Sequence, residues 1–226
     1  MAAWRRLLVV CEGQTESAFV KSVLTPHLAT REIDVCAPVV VTNRKLGKRG
    51  GIVNFEKVQR DLSLHLRKET HPETRFTTMF DFYALPSEFP GWSAAEPATT
   101  PAARAAAIER ELEKSLDDQR FFAFLQLHEF EALLFCDLEQ LAKRIEGSES
   151  GVERLKKSVR GIEPEDINDG PTTAPSKRII EHVPRYEGSK VRVGAPAAAA
   201  IGLDTLRAKC PHFGEWVTRL EALGVR

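Results

Sequence analysis

The amino-terminal segment constrains the fold most, because a continuous run of apolar residues is followed at once by a polar turn. Residues 7–11, Leu-Leu-Val-Val-Cys, contain no charged position, which is typical of a strand buried on both faces of a parallel sheet. Glu12 and Gly13 end this run, and residues 17–28 then carry apolar side chains on one helical face. The chain is therefore predicted to begin with a strand, a tight turn and a helix.

The same alternation of strand and helix recurs along the first part of the chain. Further strands are predicted at residues 35–41, 75–81 and 121–127, with helices at residues 55–68 and 102–116. Strands that alternate with helices indicate a parallel α/β sheet with right-handed crossovers, flanked by helices.

The last third of the chain differs from the first part because its pattern predicts helices only. No strong strand pattern follows residue 127, whereas apolar positions recur at helical spacing as far as residue 223. We therefore divide the chain into an α/β core at residues 1–146 and a helical C-terminal extension, packed on the core, at residues 147–226. The length of 226 residues and the hydrophobic content of 42% are sufficient for such a core.

Composition excludes several classes of protein. Thirty-two basic and 32 acidic side chains give a formal net charge of zero, so any nucleic-acid contact must come from local patches. The four cysteines form no Cys-x-x-Cys pair, which argues against zinc and against a disulfide framework. No segment approaches the roughly 20 apolar residues that a bilayer crossing needs. We expect a cytoplasmic protein with no membrane partner.

Acidic residues follow three of the predicted strands, where the carboxyl ends of a parallel sheet meet. Glu12 follows the first strand, Asp81 ends the third, and Glu129 and Glu131 follow the fourth. Clustered carboxylates are costly unless a cation neutralises them, and oxygen ligands favour Mg²⁺ or Mn²⁺. Glu16 lies on the first turn of the first helix and can fold back toward Glu12, although helix capping explains its position equally well.

Glu129 and Glu131 lie two positions apart, which on a helix directs their side chains about 200° away from each other. Only one of them is then expected to face Asp81, unless the segment is extended, and we favour Glu129 because it directly follows the predicted strand. The neighbouring His128 is interpreted as a polar residue that bridges a strand end, in preference to a metal ligand.

Three sequence blocks, in this order, resemble TOPRIM domains, and especially OLD-type nucleases and uncharacterised bacterial proteins often encoded beside an ATPase. The blocks are residues 7–16, ending in Glu-Gly-Gln-Thr-Glu, residues 79–86, Met-Phe-Asp-Phe-Tyr-Ala-Leu-Pro, and residues 128–135, His-Glu-Phe-Glu-Ala-Leu-Leu-Phe. The resemblance implies a TOPRIM-like Rossmannoid fold with Glu12 as the TOPRIM glutamate, Glu16 as its companion and Asp81 as the first aspartate of an Asp-x-Asp motif. It also implies a Mg²⁺- or Mn²⁺-dependent nuclease that serves antiphage defence with an ABC- or AAA-type ATPase encoded nearby.

One position departs from the resemblance. Tyr83 stands where the second aspartate of Asp-x-Asp is expected, so a two-metal centre lacks one ligand unless Glu129 or Glu131 replaces it. This departure leaves open a degenerate TOPRIM-like module that binds nucleic acid, nucleotide or a partner protein without catalysis. A primase-like or other phosphotransferase activity is a third functional alternative. The sequence also leaves open whether the chain assembles into a homo-oligomer.

Two basic segments are candidates to contact the phosphates of a nucleic acid. Residues 43–51 combine three glycines with four cations, Arg44, Lys45, Lys48 and Arg49, although an ordinary solvated loop has the same composition. The second segment is Ser-Lys-Arg at residues 176–178, together with Lys190. A lysine late in OLD-type domains assists the reaction, and the resemblance implies that Lys177 has this role.

Alanine at the four cations, Arg44, Lys45, Lys48 and Arg49, is expected to weaken nucleic-acid binding and to flatten its salt dependence. Each phosphate contact that is lost removes about 0.9 from the slope of log affinity against log salt concentration on duplex DNA. Fluorescence anisotropy of a labelled duplex across a KCl series measures this slope. An unchanged slope would assign the loop to the solvated surface.

Overall fold

A five-stranded parallel sheet forms the centre of the computed structural model, which describes residues 4–40, 52, 54–83, 85–167, 170 and 172–224. The strands are β1 (Arg5–Cys11), β2 (Ile33–Cys36), β3 (Arg75–Asp81), β4 (Phe121–Phe122) and β5 (Leu125–Gln126). Their order is β2-β1-β3-β4, and β5 continues the pairing along β3. β1 lies between β2 and β3 in this sheet. Its apolar residues are buried because both faces of the strand are covered.

The sheet is surrounded by helices on both faces. The α-helices are α1 (Gln14–Phe19), α2 (Thr25–Ala29), α3 (Phe55–Lys68), α4 (Trp92–Ala95), α5 (Pro101–Leu116), α6 (Glu139–Ala142), α7 (Glu149–Ser158), α8 (Pro175–His182), α9 (Lys190–Ile201), α10 (Leu203–Lys209) and α11 (Pro211–Ala222). A π-helical turn at Val20–Leu24 joins α1 to α2, and 3₁₀ helices occupy Phe130–Cys136, Pro164–Asp166 and Pro184–Ser189. None of the described helices is both long and apolar enough to span a bilayer.

Side-chain caps explain where two long helices begin. The side chain of Asn54 accepts a hydrogen bond from the backbone N–H of Lys57 at the start of α3, at 3.0 Å. Thr100 caps α5 in the same way, and Pro101 at the first helical position supplies a backbone angle that suits a helix. Both helices pack on the same face of the sheet, where their buried residues share one apolar cluster with β3.

The C-terminal helices cover the opposite face of the sheet. Trp216 of α11 stacks on Phe124 with ring centroids 4.2 Å apart and planes inclined by 7°. Its indole Nε1 donates a hydrogen bond to the Thr77 hydroxyl of β3 at 3.1 Å. Helices α9, α10 and α11 therefore share one hydrophobic core with β1 and α1, whereas the domain boundary after residue 146 stays a prediction.

The predicted fold class, a parallel α/β sheet flanked by helices, is confirmed. Strand Arg75–Asp81 and helix Phe55–Lys68 also have the predicted bounds. The single strand predicted at residues 121–127 is instead divided into β4 and β5. Two side chains, the Glu113 carboxylate and the Thr78 hydroxyl, accept the backbone N–H groups between them at 3.0 and 2.9 Å, so these groups leave the strand ladder.

Removal of the Trp216 side chain should destabilise the whole chain, because the indole is 4% exposed and bridges a C-terminal helix to the sheet. We expect Trp216→Ala to lower the free energy of unfolding by about 3–5 kcal/mol. Urea denaturation followed by circular dichroism measures this change. The matched control is Trp4→Ala, because Trp4 is 56% exposed; a loss at Trp216 no larger than at Trp4 would contradict the shared core.

Candidate functional site

The carboxylates of β1 and β3 meet at the carboxyl edge of the sheet. Cys11 pairs with Met79, so the residues that follow the two strands lie next to each other. The backbone N–H of Glu12 donates to the carbonyl of Met79 at 3.0 Å, and its carboxylate Oε2 accepts from the backbone N–H of Asp81, also at 3.0 Å. The side chains of Glu12 and Asp81 are thus held at one site.

Glu16 folds back over the turn that follows β1. Its carboxylate Oε2 accepts the backbone N–H of Gly13 at 2.8 Å, which is the capping arrangement that the sequence allowed. A Cβ at Gly13 would lie 2.9 Å from this oxygen, so glycine permits the close approach. Because Glu16 is buried and the charge of Glu12 raises its pKa, the residue caps α1 and belongs to the carboxylate cluster at the same time.

Asp81 connects the sheet to the segment that carries the other two glutamates. Its Oδ1 accepts the backbone N–H of Phe130 at 2.8 Å, which fixes the start of the 3₁₀ helix Phe130–Cys136 against the end of β3. Glu129 precedes this helix with an extended backbone, and Glu131 lies in its first turn. Glu12, Glu16, Asp81, Glu129 and Glu131 are hereafter called the carboxylate cluster.

The C-terminal helices position both of these glutamates. Ser176 of α8 donates to Glu129 through its backbone N–H at 2.8 Å and through its hydroxyl at 3.0 Å. The hydroxyl of Tyr186 donates to Glu131 at 3.2 Å, and the ammonium of Lys190 forms an ion pair with the same oxygen, also at 3.2 Å. The residues after 146 therefore contribute three side chains that contact the carboxylate cluster.

The preference for Glu129 over Glu131 assumes that both residues lie on one helix. The extended backbone of Glu129 removes the premise of two positions on one helix. Both glutamates act on Asp81 electrostatically, and the influence of Glu131 is larger than that of Glu129.

Burial and mutual repulsion perturb the acid groups of the cluster. Burial, together with the charges of Glu129 and Glu131, raises the pKa of Glu12 to about 7, although backbone hydrogen bonds from Asp81 and Ile52 oppose this shift. The pKa of Glu16 is also raised to about 7, first by burial and then by Glu12. Ionisation of these acid groups therefore costs free energy, and a bound cation would reduce that cost.

The pKa of Asp81 is raised well above its ordinary value, first by burial and then by the neighbouring glutamates. Burial likewise raises the pKa of Glu131, although Lys190 opposes that shift. Burial would lower the pKa of Lys190, but Glu131 and Glu129 outweigh it and raise this pKa. Lys190 is therefore a charged ammonium beside the carboxylate cluster at neutral pH.

The residue types of the cluster fit a hard divalent cation, because all five side chains offer oxygen. Within the described ranges, however, no group of three or more His, Cys, Asp or Glu side chains has the geometry of a preformed metal site. A cation would therefore need the carboxylates to close around it, and its positive charge would relieve the repulsion between the ionised groups.

The other predicted site residues have different positions. Lys177 is exposed on the first turn of α8, beside Ser176. Among the described residues no hydrogen bond or ion pair joins it to the carboxylate cluster, and its catalytic role stays a prediction. Lys190 forms an ion pair with Glu131 of the carboxylate cluster. Its contact with nucleic acid stays a prediction. The cations of the basic loop, Arg44, Lys45, Lys48 and Arg49, lie outside the described residues.

Sequence reasoning missed Tyr186 and gave Ser176 no role of its own. Tyr186 is fully buried, yet it lies in a polar stretch without a motif, so no local pattern marks it. His128 bridges a strand end as interpreted, because its Nε2 lies 2.9 Å from the carbonyl of Glu165.

The stability of the metal-free protein should fall as the pH rises from about 5 to about 8. Glu12 and Glu16 have folded-state pKa values of about 7, above the ordinary 4.5, so their contribution is lost as the pH rises through about 7. Glu12→Gln should flatten this dependence because glutamine mimics the protonated acid. Thermal unfolding in EDTA across this pH range measures the effect.

The matched control for this measurement is Glu153→Gln, since Glu153 is an exposed glutamate on α7. The control should retain the pH dependence of the wild type. A wild-type unfolding temperature that does not decrease between about pH 5 and about pH 8 would contradict the raised acid pKa values.

Comparison with known proteins identifies the family of this chain. The fold is similar to the C-terminal region of the Burkholderia pseudomallei OLD protein, with a TM-score of 0.45 and 19% identity over 96% of this chain and 99% of that chain. It is also similar to the C-terminal region of the Xanthomonas campestris pv. campestris OLD protein, with a TM-score of 0.34 and 15% identity over 97% and 98% of the two chains. No curated protein matches the sequence. The sequence profile of a domain of unknown function, DUF4276, matches residues 11–221, and the chain therefore belongs to the DUF4276 family.

Proposed function

We propose that this chain is a subunit of a metal-dependent nuclease that hydrolyses the phosphodiester bonds of nucleic acid. The observation that carries the proposal is the contact between the Glu12 carboxylate and the Asp81 backbone at the carboxyl edge of a parallel sheet. Ligands bind to parallel α/β sheets at this edge. Three further carboxylates lie at the same site, which favours a cation-dependent reaction over simple capping of the sheet.

Glu12 and Asp81 would hold Mg²⁺ or Mn²⁺, with Glu16, Glu129 and Glu131 as the other candidate ligands. When bound, such an ion stabilises the negative charge that develops on a phosphate during hydrolysis. Each carboxylate already accepts a hydrogen bond from the chain, which limits how far it must move to close around the ion.

Lys190 is the described cation best placed to assist. Its ammonium is held by Glu131, and 37% of its side chain is exposed, so it can also reach a bound phosphate. A positive charge at this position would oppose the repulsion between a nucleic-acid backbone and the carboxylate cluster. Ser176 and Tyr186 would keep Glu129 and Glu131 in place while the substrate binds.

Nucleic acid is proposed as the substrate because of the three sequence blocks and the basic loop at residues 43–51. An ABC- or AAA-type ATPase partner, encoded nearby, and a role in antiphage defence follow from the resemblance of the blocks to OLD-type proteins. The neighbouring gene tests this part: an ATPase beside this gene supports the partnership, and solitary occurrence weakens it.

A second candidate function is a binding module without catalysis. Tyr83 replaces the expected second aspartate, and its backbone N–H donates to the carbonyl of His128 at 2.7 Å. This hydrogen bond ties position 83 to the segment that carries Glu129, but it adds no carboxylate. The carboxylate edge of the sheet would then bind nucleic acid, nucleotide or a partner protein.

Purified protein, with and without the proposed ATPase partner, should convert supercoiled plasmid to nicked or linear DNA when Mg²⁺ or Mn²⁺ is present. Glu12→Gln and Asp81→Asn should each reduce the cleavage rate by roughly 100-fold or more, because each removes an oxygen that the charged transition state requires. Circular dichroism establishes that both variants fold.

The matched control for cleavage is again Glu153→Gln, which makes the same chemical change at an exposed position on α7 and should leave the rate unchanged. Absence of cleavage by the wild type, even with the ATPase partner, would favour the binding module. Equal cleavage by the wild type and both cluster variants would refute the catalytic role of the cluster.

A further inference from the structure

Gln126, the last residue of β5, has a buried oxygen whose hydrogen-bonding capacity is unused. The side chain is fully buried, and its Nε2 donates to the carbonyl of Leu127 at 3.4 Å. Its Oε1 has no hydrogen-bond partner within the described part of the chain. Buried side-chain acceptors are usually satisfied, and an exception in a native fold calls for an explanation such as a bound ion.

The strand register places Gln126 beside Asp81. Parallel pairing of β3 and β5 aligns Phe80 with Leu125 and Asp81 with Gln126. Phe80 and Leu125 both pack into the apolar cluster under α3 and α5. Because successive side chains of a strand point to opposite faces, Asp81 and Gln126 both point to the other face of the sheet. Gln126 therefore projects from the position next to Asp81, on the same face of the sheet.

We infer that Gln126 is an uncharged oxygen donor to the divalent cation proposed for the carboxylate cluster. The inference rests on the proposed function and adds a residue that neither the sequence blocks nor the acidic pattern marks. Side-chain amide oxygens are ordinary ligands of hard cations. A neutral donor also suits this position, because a further carboxylate would add to the repulsion among five acid groups.

The inference also accounts for the aspartate that is absent at position 83. Tyr83 supplies no carboxylate after β3, whereas Gln126 supplies an oxygen from the neighbouring strand β5. The cation would then be held between two adjacent strands by a carboxylate and an amide, in place of two carboxylates from one strand.

The test replaces the amide by an apolar group of similar length, in Gln126→Met, and measures Mn²⁺ binding to the full chain by isothermal titration calorimetry. Loss of a donor that supports a bound metal typically reduces affinity by about 10–100-fold. The variant should also unfold at a temperature equal to or above that of the metal-free wild type, because it removes a buried oxygen without a partner.

The matched control is Thr74→Val. Thr74 is buried just before the start of β3, its hydroxyl also has no partner within the described residues, and it lies at the opposite end of the strand from Asp81. Its substitution should leave Mn²⁺ affinity unchanged. Equal Mn²⁺ affinity of Gln126→Met and the wild type would overturn the inference and leave the proposed function intact, whereas a wild type that binds no Mn²⁺ would overturn both.

Gln126→Glu keeps the inference testable if the methionine variant does not fold. Glutamate retains the oxygen and adds a charge, so this variant should bind Mn²⁺ at least as tightly as the wild type while its metal-free form is less stable. A folded glutamate variant that no longer binds Mn²⁺ would overturn the inference.

Discussion

The hydrogen bond from the Asp81 backbone to the Glu12 carboxylate is the interaction on which the site depends. It exists because β1 and β3 are parallel neighbours whose register ends at Cys11 and Met79. An antiparallel arrangement would place the two acid groups at opposite ends of the sheet. The topology therefore brings together at one site two residues that lie 69 positions apart in the sequence.

The helical last third of the chain completes this site as well as the core. Trp216 joins α11 to the sheet by stacking on Phe124 and by donating a hydrogen bond to Thr77 of β3. Ser176, Tyr186 and Lys190 contact the two glutamates that follow β5. Loss of packing on this face would remove the hydrogen bonds that hold Glu129 and Glu131 and would also disrupt the hydrophobic core. Stability of the fold and geometry of the cluster are thus linked through the same helices.

The sequence predicted the parts of the molecule that local patterns determine. The apolar run of β1 and the amphipathic spacing of α3 were sufficient for the parallel α/β class and for the edge at which Glu12 lies. Tyr186 and Gln126 could not be predicted, because their roles come from tertiary contacts and from the β3–β5 register. For the same reason, no spacing rule reveals that the buried Cys136 and Cys210 have sulfur atoms 3.4 Å apart.

Repulsion among buried acid groups is the physical reason for which we propose a cation at this edge of the sheet. The position of that cation is the central claim. Anomalous diffraction from a crystal grown with Mn²⁺ measures that position directly. We expect a manganese peak within about 2.0–2.6 Å of carboxylate oxygens from both Glu12 and Asp81. A crystal that contains Mn²⁺ at other acidic residues, with none between these two side chains, would contradict the metal centre.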